Sequence, residues 1–581
     1  MLAAWLTTAT LGAQFFPLAQ VRPGLRGTGR TVFSGGRIDE FQVEILGLLE
    51  NTGPKQSIVL ARLSGGPLET AGVLQGMSGS PVYIDGRLLG AVALAFSFAK
   101  EPIAGIRPIQ EMIRAEERTN PAPRARWSLE DRQMTHLAPP RQEFLSGATR
   151  LVEIATPVSF GGFTRGTIEQ FAPQLRSLGL EPRQGVLGGG RPAARYGDPS
   201  TLRPGAMISV QLLAGDMSAG AEGTITHIDG RRLWAFGHRF LSGGATELPF
   251  ARAEVLTILA NLATSFKISS AREWMGAITA DHSTAVAGEL GRRTALVPVS
   301  IIVNAPGASG ARRQSYRIEM VQDRFLSPFL LQMALYSAMD ATERTLGPAS
   351  FVIRGRIEFD HATPPVLVDN MYAGESYVPM QASLATALPL AYAMQSGFAA
   401  FKLKAMAFEI DAFEEKKQLH IDQLRATRTS VRPGEPLELL VTLTADNGVE
   451  QLHKISYPVP IGAPAGPLYC TVADGASTNL VEFQQLLGQP PKSAAQVVAL
   501  LNELRPNTRA YLRLWRANPA FHVQGQDLPN PPPSVALILA REPGAQSALL
   551  GPRGSRIAEF RVGAGGAVVE GSKTIQVEVK E

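Results

Sequence analysis

The sequence predicts a mainly β protein, and three observations carry that prediction. Glycine and proline (57 and 42 residues) make up about a sixth of the 581 positions, which favours short elements joined by tight turns. Apolar residues reach 45% while charged residues stay at 18%, enough to bury large cores and too little charge for a disordered chain or a coiled coil. Alternating apolar runs flank Asp-Gly and Asn-Gly pairs, the strongest local signal for a hairpin. At the usual 100 to 200 residues per domain the length corresponds to about four domains, or about three if the β units are large.

The same composition narrows the function. A net charge of +5 is small for this length, and the arginines are scattered, so no nucleic-acid interface is implied. The single cysteine, Cys470, excludes an internal disulfide framework and a Cys-based zinc site. No His-Glu-x-x-His or similar ligand spacing occurs, so neither a metal nor a cofactor is expected. Gly188-Gly189-Gly190 runs into Arg191-Pro192 and not into the Lys-Ser/Thr of a phosphate loop, and reads as a flexible loop.

Taken in order, residues 1–20 are uncharged, and Leu2 to Ala13 form an apolar stretch ending in small residues. This looks like a shortened signal segment without its basic n-region, or else a buried N-terminal strand. Export to the periplasm or cell envelope is the expectation, with membrane association only through this segment. Residues 21–115 contain Val82 to Ile84, Asp85-Gly86 and Arg87 to Ala93, a hairpin. Residues 116–204 form a polar linker and loops, with Ala138-Pro139-Pro140 and Gly197-Asp198-Pro199 as breakers.

Residues 205–300 repeat the first hairpin's phrase. Ile228-Asp229-Gly230-Arg231-Arg232-Leu233 matches the Ile-Asp-Gly-Arg-x-Leu of residues 84–89, about 144 positions later. Two readings stand: ordinary hairpins alike by chance, or two related β-barrel halves. His227 falls on the solvent-facing alternation of that second hairpin. Residues 301–407 read as an α+β connecting region. Its uncharged run from Ala382 to Phe401 is broken by Pro389, Gln395, Ser396 and Gly397, then alternates with Lys402 and Lys404, giving a helix and a strand and not a membrane span. Residues 408–581 read as a β-sandwich-like region with helices at 480–487 and 494–504, where Ser493 and Gln496 are spaced as a capping box. A stiff connector at Pro531-Pro532-Pro533 and a final strand from Thr574 to Lys580 complete it.

The sharpest chemical signal is Gly76-Met77-Ser78-Gly79-Ser80-Pro81. A nucleophilic serine needs a tight turn that presents Oγ and aims neighbouring N–H groups at the oxyanion of the tetrahedral intermediate. Gly76 lets its own N–H and that of Ser78 converge, Gly79 leaves room beside them, and Ser80 supports the loop by hydrogen bonding. Asp85 and Asp229 are explained by their turns.

That phrase, followed by a short strand, a turn and Leu89-Gly90-Ala91-Val92, resembles the nucleophile loop of chymotrypsin-like serine peptidases. It is most similar to the SpoIVB peptidase family of sporulation-type signalling proteases. Ile38 to Leu46 resembles that family's acidic strand, and Gly223-Thr224-Ile225-Thr226 leading to Ala235-Phe236-Gly237-His238 is similar to the segment ending in its histidine. The resemblance implies a chymotrypsin-like β-barrel region, with Ser78 as nucleophile, His238 as general base, and the N–H groups of Gly76 and Ser78 as oxyanion hole. It also implies restricted regulatory cleavage, including self-cleavage, of protein or peptide substrates.

Two departures accompany it. The serine precedes the histidine here, the reverse of the family order, which a triad tolerates because geometry defines it. The family's aspartate upstream of the nucleophile has no counterpart in Arg62 to Pro67, where Ser64 is the nearest polar residue; Asp281 and Asp39 are the candidate acids. The family's PDZ module is not evident. The sequence therefore supports an exported Ser-His endopeptidase. The alternative is a peptidase-like scaffold or binding protein that has lost its acid and works through its C-terminal half. It leaves substrate sequence and oligomeric state open.

Overall fold

The structure, a computed structural model, describes residues 14–96, 99–117, 151–185, 196–241, 243–261, 264–305, 312–341, 347–360, 363–486, 491–517, 520–523, 526–529, 532–539 and 555–581. The fold is mainly β, as the turn-rich composition requires. The apolar segment 2–13, residues 118–150 of the polar linker and the triple-glycine loop lie outside the described residues. The chain divides into two compact units, one of residues 1–300 and 316–338, the other of 301–315 and 339–581.

The first unit begins with six antiparallel strands: β1 (Arg26–Ser34), β2 (Arg37–Gly53), β3 (Gln56–Ser64), β4 (Pro81–Ile84), β5 (Arg87–Phe96) and β6 (Ile103–Pro108). β1 pairs with β2 and β4, β3 with β2 and β6, and β5 with β6 and β4, so every strand has two neighbours and the six close into a ring. Closure removes the sheet's edges. Along β2 the alternation places Phe41, Val43 and Ile45 in the core with Val59, Leu63 and Val92, as a half-buried strand demands.

Three short strands follow, β7 (Leu151–Glu153), β8 (Thr156–Gly161) and β9 (Leu180–Gln184). Then come six more antiparallel strands: β10 (Met207–Gly215), β11 (Ser218–Asp229), β12 (Arg232–Ala235), β13 (Gly244–Leu259), β14 (Phe266–His282) and β15 (Ala285–Leu290). Their pairings run β10–β13–β14–β15–β12–β11 and back to β10, a second closed ring.

The repeated Ile-Asp-Gly-Arg phrase does not mark equivalent places in these rings. In the first, Ile84 faces Arg87 across Asp85 and Gly86, both at positive φ (49° and 73°), the requirement of a type I′ turn. In the second, Asp229 faces Arg232 and Gly230 (φ 58°) is the first turn residue. The register differs by one residue, and the first hairpin joins the fourth and fifth strands of its ring while the second joins the second and third. The phrase is an ordinary likeness of two turns. A different pair of connections is equivalent: Ser78 lies between the third and fourth strands of the first ring, and His238 between the third and fourth of the second.

In the second unit, Ala349–Phe359 pairs antiparallel with both Val366–Gly374 and Leu403–Phe413, and the helix Val378–Gln395 packs on the first two. No described helix is long and apolar enough to cross a membrane. Further on, a four-stranded and a five-stranded sheet enclose a core that includes Leu439, Val441, Cys470, Leu512 and Val577. Burial pushes the Cys470 thiol up to about 12, so the lone thiol is packing. Ser493 caps the helix Ala494–Asn502 through Gln496 N–H. The expected proline connector is shorter than the sequence suggests: Gln526–Pro529 is a strand and Pro533 opens a helix, a first-turn position where its missing N–H costs nothing.

Candidate active site

The turn that carries Ser78 is pinned on every side by main-chain bonds. Gln75 N–H donates to Ser265 O (2.9 Å), Met77 N–H to Leu74 O (3.1 Å), Gly79 N–H to Val92 O (2.8 Å) and Ser80 N–H to Met77 O (2.8 Å). The carbonyls are held by β11: Thr224 N–H donates to Ser78 O (2.9 Å), Thr224 Oγ1 to Gly76 O (3.0 Å) and Thr226 Oγ1 to Gly79 O (2.7 Å). Among the described residues, the N–H groups of Gly76 and Ser78 donate to no main-chain carbonyl. Buried N–H groups are almost always paired, so two idle donors at a serine are an exception of the kind an anion site needs. Ser78 Oγ is itself buried without a hydrogen-bond partner.

Gly79 is required sterically. A Cβ there would lie 2.0 Å from Thr224 O and 2.5 Å from Phe236 N, and its φ is +93°. The Ser78 turn thus sits directly against the start of the segment that carries the histidine.

That segment leaves β12 through a strained bend. Phe236, fully buried, has φ +71°, and Gly237 N–H donates to Ala235 O (2.9 Å), the rarer and strained form of the γ-turn. His238 follows, 2% exposed. Its Nδ1 lies 2.7 Å from the Arg239 carbonyl; a carbonyl only accepts, so Nδ1 carries a proton. With the ring neutral, this is the tautomer a general base needs.

Residues 18–113 match the family model of the SpoIVB peptidase S55 family. No curated protein and no solved structure matches the chain. The match spans the first ring and the Ser78 turn, about a sixth of the chain, so the likeness to that peptidase family holds for those residues. His238 lies beyond it.

Neither candidate acid bonds the His238 ring. Asp281, at the end of β14, is buried and spends both oxygens on the loop after the histidine, accepting from Phe240 N–H (2.8 Å), Leu241 N–H (2.6 Å) and Gly243 N–H (3.1 Å). Burial pushes its carboxyl above the ordinary aspartate value while the three donors pull it down. Asp39 pairs with Arg37 (2.8 Å) on β2, opposite Thr31, and Ser64 ends β3 opposite Gln42. Ser80 supports the loop as expected, donating to Thr31 Oγ1 (3.0 Å).

His227 departs from expectation. It is 6% exposed, stacked on Trp234 (5.6 Å) and edge-on to Phe15 (5.3 Å), and burial lowers its pKa. β11 is covered on both faces from Ala219 to His227 and bulges just before it, so alternation does not separate inside from outside there.

Sequence reasoning also missed Glu153. It is 5% exposed, 3.5 Å from Arg239, and lines a cavity of about 10 Å³ with His238, Arg239 and Phe240, barely room for one water. The signal was a lone carboxylate inside the apolar run Leu151-Val152-Glu153-Ile154. No cluster of metal-ligating side chains occurs among the described residues.

Proposed function

We propose that this protein is a serine endopeptidase of the SpoIVB type in which Ser78 attacks the peptide carbonyl, His238 Nε2 takes and returns the proton, and the N–H groups of Gly76 and Ser78 hold the oxyanion. The observation that carries this is the pairing of two idle N–H donors with a partnerless Ser78 Oγ, on a turn packed against the histidine segment. The Arg239 carbonyl fixes the ring's tautomer; a carbonyl supplies no negative charge to steady an imidazolium, which in a full triad is the acid's part.

Ser78 has no exposed surface, and we read this as a peptidase of restricted cleavage, acting on few sites or on itself after export. A fluorophosphonate probe tests the chemistry. Wild type should be labelled while Ser78→Ala is not, and His238→Ala should label far more slowly. Equal labelling of wild type and Ser78→Ala, or none of either, favours the second reading, a binding protein on a peptidase scaffold, whose supporting observation is that same burial.

A further inference from the structure

A lysine lies under the nucleophile turn, where neither the sequence nor the triad chemistry calls for one. Lys267, near the start of β14, is 1% exposed. Its backbone N–H donates to Gln75 O (3.2 Å), on the entry side of the turn. Its side chain runs beneath Gly76, where a Cβ would stand 3.4 Å from Lys267 Cδ. Its Nζ donates to Thr31 Oγ1 (2.8 Å), and Ser80 Oγ donates to the same oxygen (3.0 Å), on the exit side of the turn.

We propose that Lys267 is the positioning residue of the nucleophile turn, tying down its entry through Gln75 and its exit through the Thr31 hydroxyl and Ser80. The two ends it holds bracket Gly76 and Ser78, the idle donors. A displacement of about 1 Å at a reacting group is worth about a hundredfold in rate, so a brace on both ends sets the quality of the oxyanion site. Burying an ammonium is costly unless it is paired. Here desolvation lowers Lys267 to about 7 and raises the buried Glu222 to about 7, each charge partly supporting the other. An apolar side chain of the same length would fill this space, so the polar head is kept for the bond it makes.

The inference rests on the serine-peptidase reading, and the experiment separates the two. The rate of Ser78-dependent fluorophosphonate labelling and the melting temperature are measured for the full chain as wild type, Ser78→Ala, Thr31→Val, Thr31→Ser, Lys267→Met and Thr31→Val/Lys267→Met. Thr31→Val keeps the shape and removes the shared oxygen, and is expected to slow labelling about ten- to a hundredfold. Thr31→Ser, which restores that oxygen, is expected to recover the rate, and the double variant to be no slower than the worse single one. Because Glu222 can hold a proton when the lysine is gone, Lys267→Met is expected to fold; should it not, the Thr31 pair decides. Ser78-dependent labelling that is equally fast in Thr31→Val and wild type overturns the inference alone. Absence of Ser78-dependent labelling in wild type overturns the peptidase reading and the inference with it.

Discussion

Asp281→Asn separates two roles that the structure holds close together. Asp281 sits near the end of β14, in the same closed sheet as the histidine, yet its oxygens bind Phe240, Leu241 and Gly243 N–H and not the imidazole. In Asp281→Asn the amide keeps one accepting oxygen. With that oxygen in the Oδ2 position it still accepts from Leu241 and Gly243, and only Phe240 N–H loses its acceptor and faces a donor. One orphaned buried donor costs about 1–3 kcal/mol. At about 2 °C per kcal/mol for a unit of this size, melting should fall by about 2–6 °C. If all of that cost lands on the ordered loop, labelling of Ser78 slows by at most about 5- to 160-fold at 1.36 kcal/mol per decade. A triad acid behaves differently: its Asn variant keeps the fold and loses about four orders of magnitude. The assay is thermal melting by near-UV circular dichroism beside the labelling rate. An Asp281→Asn protein that melts with wild type and labels 10⁴-fold more slowly refutes the clamp and makes Asp281 the acid.

Two further outcomes follow from the same geometry. Gly79→Ala drives a Cβ to within 2.0 Å of Thr224 O at a φ of +93°; this is a backbone clash, so the variant is expected to lose at least about 3 kcal/mol and all Ser78 labelling, and a wild-type melting curve would show that the turn and β11 are not in contact. The Glu222 and Lys267 pair predicts a pH signature. Glu222 is raised from 4.5 to about 7, so its contribution to stability is full below 4.5 and is lost as pH rises through 7; Lys267 is lowered from 10.5 to about 7, so its contribution is full above 10.5 and is lost as pH falls through 7. Relative to wild type, Glu222→Gln/Lys267→Met should therefore gain stability from pH 4.5 to 7 and give it back from 7 to 10.5, measured by urea unfolding; parallel curves count against the pair.

What the sequence disclosed about the site was its backbone chemistry. Gly76 to Pro81 is a local phrase, and a turn with idle donors follows from glycines at fixed offsets whatever the rest of the chain does. His238 was reachable only by resemblance, because a histidine at a strand end has many ordinary explanations. A barrel was likewise an expectation from resemblance alone, since closure depends on β1 meeting β4 and β10 meeting β11, pairings set by which strand finds which neighbour and not by any residue pattern. Lys267, Glu222 and Glu153 stayed hidden for one reason: a charged side chain in a strand reads as solvent-facing, and only the three-dimensional neighbourhood shows that these three are buried.

The burial of Ser78 also sets a condition on any reaction. A peptide carbonyl has to come within about 3–3.5 Å of Oγ, and an oxygen without accessible surface offers no such approach until neighbouring atoms move. The carbonyls of Gly76, Ser78 and Gly79 are all bonded to Thr224 and Thr226, so β11 and the turn move together or lose three hydrogen bonds. The connection after β12 is held as well: Phe236 N–H donates to Thr224 O (3.2 Å), and the Asp281 carboxylate accepts from Phe240, Leu241 and Gly243 N–H. Its bend at Phe236 (φ +71°) is a conformation that costs of order 1–3 kcal/mol, so relaxing the bend offsets part of what parting those bonds costs. Access to Ser78 therefore requires hydrogen bonds to break on one side of the turn or the other.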